Sequence, residues 1–332
     1  MAIQWENKIH KLTTTETWQH QYIVTNGIRL HYVKQGEGPL IVLLHGFPEF
    51  WYSWRYQIPF LAEHGYTVVA PDLRGYNETD KPRKGYDIPT LLRDIEGLVK
   101  GLGQQKASIV GHDWGGVLAW AFAMNYPEMT ERLIVMNAPH PAAMMREIRT
   151  PKQLRKSWYV FAFQIPWLPE YMLGRNNANE VGRMLRGAAL QKSAFPREVT
   201  AKYQEAMNKP GAIKAAISYY RQLFWRLPFS FKSYEVQIDA PTLLIWGEKD
   251  IALGIELTTG LERWVNNIQI KRIPDSGHWV QQEQPEKVNQ FILDFFANEK
   301  GRIAAASWGE RISSLLNKER DSTLWQRNAP PN

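Results

Sequence analysis

One stretch restricts the possible folds of this chain more than any other. Ala107-Ser108-Ile109-Val110, a short apolar run suited to a buried strand, passes directly into Gly111-His112-Asp113-Trp114-Gly115-Gly116. An apolar helix from Val117 to Tyr126 follows, closed by Pro127. A strand joined to a helix through Gly-x-nucleophile-x-Gly is a nucleophile elbow. The glycines leave room for a sharp turn, and the N-terminus of the following helix lies behind the central residue, where it favours negative charge. In isolation Gly-x-Asp-x-Gly is as readily an ordinary turn. The strand before it and the helix after it favour the elbow, and they single out Asp113 as the nucleophile.

The surrounding pattern supports that placement. Residues 19–35 read as two strands around Asn26-Gly27, a strong hairpin dipeptide. Further strands are expected at Leu40–Leu44, which feeds His45-Gly46-Phe47-Pro48, and at Thr67–Ala70, Arg132–Met136, Thr242–Trp246 and Ile268–Ile273. Residues 88–100 carry Leu91, Leu92, Ile95, Leu98 and Val99 at helical spacing, and a helix from Pro285 to about Ala297 follows the last strand. Strands alternating with helices predict an α/β fold with a mostly parallel central sheet covered on both faces. Between Met136 and Pro241 the rhythm breaks into a segment rich in aromatics and proline, with Trp158, Tyr159, Phe161, Phe163, Trp167, Tyr171, Tyr219, Tyr220, Phe224 and Trp225. This reads as a helical insertion over the carboxyl edge of the sheet, where open α/β sheets bind ligands. Most of its rings are expected to form a small aromatic core, a few to face a ligand.

An aspartate in the elbow says which bond is broken. A serine attacking saturated carbon would leave an ether, stable to water. A carboxylate leaves an ester, which a base-activated water can hydrolyse at the carbonyl. No Gly-x-Ser occurs in the chain. Asp113 therefore points to displacement at an sp³ carbon, as in an epoxide or an alkyl halide.

Such a cycle needs a base, an orienter and an oxyanion site. His278, in Asp275-Ser276-Gly277-His278-Trp279, follows the last expected strand and is the best placed of eight histidines. Asp250 ends the preceding strand and gives the chain order nucleophile, acid, base; Glu248 is its rival. The oxyanion donors are expected to be the backbone N–H groups of Phe47 and Trp114. His45 and His112 belong to turn motifs and are expected to hold loops. His10, His20, His31 and His64 are assigned to solvated peripheral segments, and His140 is left without a role.

Composition removes other classes. The 332 residues are 44% apolar and 22% charged, enough for one core plus an insertion and unlike a disordered chain. The absence of cysteine excludes disulfides, thiolate catalysis and cysteine metal sites, and no metal site is expected. The net charge of +7 is dispersed rather than gathered in a block, so no nucleic-acid partner is expected. No apolar run approaches the ~20 residues of a membrane span, and residues 1–8 lack the apolar core of a secretory signal. A soluble, cytoplasmic protein is expected.

The residues now resemble a known family, the soluble-type epoxide hydrolases of the α/β-hydrolase superfamily. The likeness runs through residues 19–298. It is carried by His45-Gly46-Phe47-Pro48-Glu49-Phe50-Trp51-Tyr52-Ser53-Trp54-Arg55, Asp72-Leu73-Arg74-Gly75-Tyr76, Gly111-His112-Asp113-Trp114-Gly115-Gly116 and Ser276-Gly277-His278-Trp279. The resemblance implies the α/β-hydrolase fold with a helical cap. Residues 1–138 and 237–298 are then the two parts of the core, 139–236 the cap, and 299–332 a C-terminal extension with a helix and a disordered end. It also implies two cap tyrosines that hold and protonate the epoxide oxygen. Tyr159 before Phe163-Gln164 matches one; Ser218-Tyr219-Tyr220-Arg221 is similar to the motif of the other and points to Tyr220, with Tyr219 the weaker candidate. Trp51, Trp114, Phe163 and Trp279 are expected to contact the substrate.

The implied function is hydrolysis of a small hydrophobic epoxide with water to a vicinal diol, through a hydroxyalkyl ester on Asp113. No cofactor is required, and the protein is expected as a monomer or homodimer. Two readings compete. Haloalkane and haloacid dehalogenases share the Asp–His–Asp logic, but usually carry Asn where Phe47 stands or Arg where Trp114 stands. A non-catalytic ligand-binding protein could use the same fold; intact candidates at every catalytic position argue against it.

Overall fold

The computed structural model describes residues 18–226 and 236–297. The chain divides at Asn289 into two units, and the described part of the second, residues 290–297, is helical. The expected helix from Pro285 to Ala297 is present, whereas the expected extension over 299–332 and His10 lie outside the described residues.

Strands β1 (Gln19–Thr25) and β2 (Ile28–Gln35) form the expected hairpin, with Thr25 opposite Ile28. Asn26 and Gly27 both take positive φ, 45° and 73°, as a tight two-residue turn between right-twisted strands requires. β3 (Leu40–Leu44) is followed by α1 (Gln57–Glu63), β4 (Thr67–Pro71), α2 (Ile88–Gly101), β5 (Ala107–His112), α3 (Trp114–Asn125) and β6 (Thr130–Met136). After the insertion come β7 (Thr242–Gly247) and β8 (Ile268–Ile273). The eight strands form one sheet in the order β1-β2-β4-β3-β5-β6-β7-β8, in which β1–β2 and β2–β4 pair antiparallel and all other neighbours pair parallel. Every residue of β3, β5 and β7 is buried, as in parallel strands covered on both faces.

That order decides where chemistry can occur. The chain leaves β3 toward β4 on one side and returns through β5 toward β6 on the other, so the loops after β3 and β5 part at a crevice. Leu44 pairs with Gly111, His112 with Met136, and Gly247 with Ile273, so the carboxyl ends of five strands stand nearly level. Phe47, Asp113, Asn137, Asp250 and His278 all follow those ends.

Between β6 and β7 the described residues hold no strand and six α-helices: α4 (Pro141–Glu147), α5 (Pro151–Lys156), α6 (Trp158–Ala162), α7 (Leu168–Ala188), α8 (Arg197–Asn208) and α9 (Ala212–Arg226). α7, α8 and α9 pack on one another. The aromatic content is distributed differently from the expectation of a ring-rich core. Tyr219 and Tyr220 are buried and Tyr159 and Phe163 half-buried, but Trp158 and Phe161 of α6, Trp167 before α7 and Tyr171 in its first turn lie exposed.

His31 also departs from expectation. It is buried rather than solvated, since β2 pairs with β4 and sets it beside Asp72, to which its Nδ1 is bonded at 2.6 Å. Its Nε2 meets Nδ1 of the exposed His20 at 2.9 Å. His64 is exposed, as expected.

Candidate active site

Asp113 occupies the turn between β5 and α3 with φ 50° and ψ −120°, a conformation that a side chain adopts only when the surroundings enforce it. The enforcing contacts are glycine contacts. A Cβ on Gly115 would lie 2.0 Å from the Leu44 carbonyl oxygen, and one on Gly46 would lie 2.4 Å from Asp113 Cβ. The β3 loop therefore touches the elbow directly. The Phe47 N–H donates to Asp113 Oδ1 at 2.7 Å, and Trp114 opens α3, where helix N–H groups lack intrahelical acceptors.

The other carboxylate oxygen faces His278. His278 Nε2 lies 3.5 Å from Asp113 Oδ2, and His278 Nδ1 lies 2.7 Å from Asp250 Oδ2. Asp250 is buried and accepts on both oxygens: Oδ1 from the amides of Ala252 at 2.7 Å and Leu253 at 2.9 Å, Oδ2 also from Asn137 Nδ2 at 2.8 Å. Burial would raise its pKa, but His278 and these donors outweigh it and hold the carboxyl below its ordinary value. Glu248 makes no such contact; its backbone amide donates to Ile273. Burial would likewise lower the His278 imidazole, yet Asp250 and Asp113 hold it well above the usual histidine range. The site thus favours the protonated form of the imidazole between the two carboxyl groups.

Three residues in this arrangement were not singled out as functional from sequence. Asn137 follows β6 at φ 39°; its Oδ1 accepts from Gly247 N–H at 2.9 Å while its Nδ2 holds Asp250. Glu49 is fully buried and bonded to His112 Nδ1 at 2.7 Å, and it accepts from the Gly46 amide at 3.1 Å and the Gln282 side chain at 2.7 Å. Burial works against its charge, but His112, His45 and the Gly46 amide hold its pKa below the ordinary value. His112 Nε2–H in turn donates to the His278 carbonyl at 2.8 Å. Gln282 completes the group by accepting from Arg55 and Tyr203. An amide after a strand carries no motif, so only the fold exposes Asn137. Glu49 and Gln282 had weak signals in the runs around Phe47 and His278.

The insertion supplies the opposite wall. The Tyr220 ring packs edge-on against Phe47 (5.3 Å between centroids), Trp114 (5.0 Å), Phe163 (4.9 Å) and Tyr159 (5.9 Å). Burial, with the Asp113 charge second, raises both the Tyr159 and Tyr220 phenols far above the ordinary value. Both hydroxyls are thus neutral and within the field of Asp113. The Tyr219 ring also meets Trp114 (5.4 Å), but its hydroxyl is engaged elsewhere, donating to the Arg74 carbonyl at 2.7 Å. Trp279 packs against His278, His112 and Phe195. Trp51 packs instead against Trp18, His20, Phe50 and Tyr52, with its amide on Asp72, so its ring contacts do not join it to the Tyr220 group.

The remaining histidines hold structure. His45 Nε2 accepts from the Leu73 amide at 3.0 Å. His140 caps α4 through the Ala142 amide, stacks on Trp264, and is lowered by burial to about 4. Among the described residues no three His, Asp or Glu side chains are grouped to hold a metal ion.

Comparison with known proteins identifies the family. The family model described as alpha/beta hydrolase fold matches residues 39–285. The chain is 41% identical to human epoxide hydrolase 4 over 288 residues, covering 83% of this chain and 78% of that protein. The chain belongs to the epoxide hydrolase family. A Bacillus subtilis AB hydrolase superfamily protein, YfhM, is also 41% identical, over 84% of this chain and 98% of its own. Among solved structures of the family, an epoxide hydrolase from Bacillus megaterium in complex with an inhibitor superposes with a TM-score of 0.76 at 33% identity. That match covers 83% of this chain and all of the other. No helix among the described residues is long and apolar enough to cross a membrane.

Proposed function

We propose that this epoxide hydrolase family member opens a hydrophobic epoxide to a vicinal diol through a covalent ester on Asp113. The observation that carries the reading is a pair of neutral phenols, Tyr159 and Tyr220, set against a carboxylate whose two oxygens are already distinguished. A halide can leave with hydrogen bonds alone, whereas an alkoxide needs a proton, which a phenol supplies.

In the proposed cycle Asp113 Oδ2 attacks an epoxide carbon. The carbon–oxygen bond breaks, and the oxygen takes a proton from one phenol. Esterification removes the Asp113 charge that helps hold the His278 proton, so the imidazolium loses it and the tyrosinate regains one through solvent. Neutral His278, oriented by Asp250, then takes a proton from water as its oxygen bonds to the Asp113 carbonyl carbon. The oxyanion forms on Oδ1, where Phe47 N–H already points and Trp114 N–H is the second donor. Collapse expels the diol oxygen, which takes the proton from His278, and the carboxyl group returns its own proton to the imidazole. Atoms and charges balance as epoxide plus water to diol.

In this reading helices α4–α9 form a cap over the sheet edge. Phe163 and Trp114 line the substrate beside Tyr220, and Trp279 supports the ring of His278. A panel of aryl and alkyl epoxides assayed for diol, beside chlorinated and fluorinated substrates assayed for halide, tests the function. Diol formation supports it, and halide release without diol formation overturns it.

A further inference from the structure

α5 is patterned inside out, and α6 continues its exposed apolar side. Ser157 N–H bonds to Gln153 C=O and Phe163 N–H to Tyr159 C=O, so near-helical spacing carries across the break between them. The side of α5 turned into the protein is polar, whereas α6 turns the Tyr159 ring inward onto Tyr220. Gln153 is buried and bonds to Ser157 Oγ, the Ala252 carbonyl and the Gly254 amide. The opposite side presents Leu154, Trp158, Phe161 and Ile165, spaced four, three and four apart and all exposed. Trp167 and Tyr171 extend the same stretch of chain at 72% and 64% exposure, and Trp158 stands at 66%. An ordinary surface helix has the reverse arrangement. Apolar exposure concentrated this way marks a face that meets something apolar.

The charges around it decide what. Between residues 148 and 176 the sequence has five Lys or Arg and a single acid, Glu170, which Arg221 clamps at 2.6 Å. Lys152 and Arg175 contact Glu256 and Glu180. Arg149 and Arg155 are exposed and have no ion pair among the described residues. A second copy docked through this face about a two-fold axis would set basic residues against their own kind. Tryptophan and tyrosine flanked by basic side chains suit the boundary between headgroups and acyl chains of an anionic membrane.

We propose that this face rests on an anionic lipid surface, with Trp158, Phe161 and Trp167 in the interfacial layer and Arg149 and Arg155 on lipid phosphates. α6 also carries Tyr159, whose ring meets Phe163 and Tyr220. On the reading of function given above, docking would bring the substrate wall next to the phase in which hydrophobic epoxides dissolve.

Vesicle flotation with the full chain tests the docking, using phosphatidylcholine vesicles with and without about 30% phosphatidylserine. The wild type should float with the anionic vesicles, and W158Q/W167Q should bind about tenfold more weakly or worse. R149E/R155E should lose the preference for anionic lipid. Both variants should hydrolyse a water-soluble epoxide at the wild-type rate. Wild type left unbound, or W158Q/W167Q floating as wild type does, overturns the proposal. So does a dimer in sedimentation equilibrium that W158Q/W167Q dissociates, which would assign the face to a second copy. Flotation of a wild type that turns over no epoxide would leave the docking standing and remove the functional reading.

Discussion

The amide of Phe47 donates to Oδ1 of Asp113 at 2.7 Å, so one carboxylate oxygen is held by the donor that, in the proposed cycle, later stabilises it as an oxyanion. Oδ2, 3.5 Å from His278, is the oxygen that attacks in that cycle. This division depends on the loop after β3 lying against the elbow, with Gly46 at the point of contact.

Gly46→Ala tests that contact. Its Cβ would stand 2.4 Å from Asp113 Cβ, so the elbow or the loop must move. Ester hydrolysis should fall by about 10²–10³, the usual loss for one oxyanion donor, while stability falls by only about 1–3 kcal/mol. Single-turnover decay of the ester beside thermal unfolding measures the two. An unchanged decay rate would show that the amide is not required.

The phenols should act on ring opening rather than on ester hydrolysis. Tyr159→Phe and Tyr220→Phe should each slow ester formation by roughly 10²-fold or more, the scale of a lost general acid. The decay of ester already formed should change little. Tyr219→Phe should leave both steps close to wild type, since that hydroxyl serves the Arg74 carbonyl. A larger effect at Tyr219 than at Tyr220 would reverse the assignment.

Asp250→Ala should let ester form and slow its hydrolysis by about 10³-fold or more, because the imidazole loses its orienter. Asn137→Leu should do the same more weakly, by about tenfold, as one buried hydrogen bond to a charged group is lost. Rapid-quench measurement of the two steps checks this. A loss confined to ester formation in either variant would contradict it.

The protonation of His278 should follow the charge of Asp113. Two carboxylates raise the imidazole pKa against the opposing effect of burial. Removing one in Asp113→Asn, as esterification does, must lower it and extend the neutral form to lower pH. A titration of the His278 ring by NMR should have its midpoint at lower pH in the variant than in the wild type. Coincident midpoints would remove the proposed coupling between ester formation and base activation.

Much of this site is written in local sequence. Asp113 stands in a motif whose glycines are steric necessities, and His278 and Asp250 follow apolar strands short enough to recognise. Asn137, by contrast, acts only because β6 and β7 are neighbours, a pairing across more than a hundred residues that no local pattern encodes. His31 departs from its expected solvation for the same reason, since only the pairing of β2 with β4 buries it beside Asp72. The exposed rings of α6, Trp158 and Phe161, show the converse, because aromatic content alone does not say which side of a short helix meets the protein.

The central claim is a covalent ester on Asp113, and a single turnover in ¹⁸O-water with enzyme in excess tests it most directly. The account predicts an unlabelled diol and one labelled oxygen in the Asp113 carboxylate, read by mass spectrometry of the peptide that contains it. Label in the first diol, with none in Asp113, would mean that water attacks the epoxide itself.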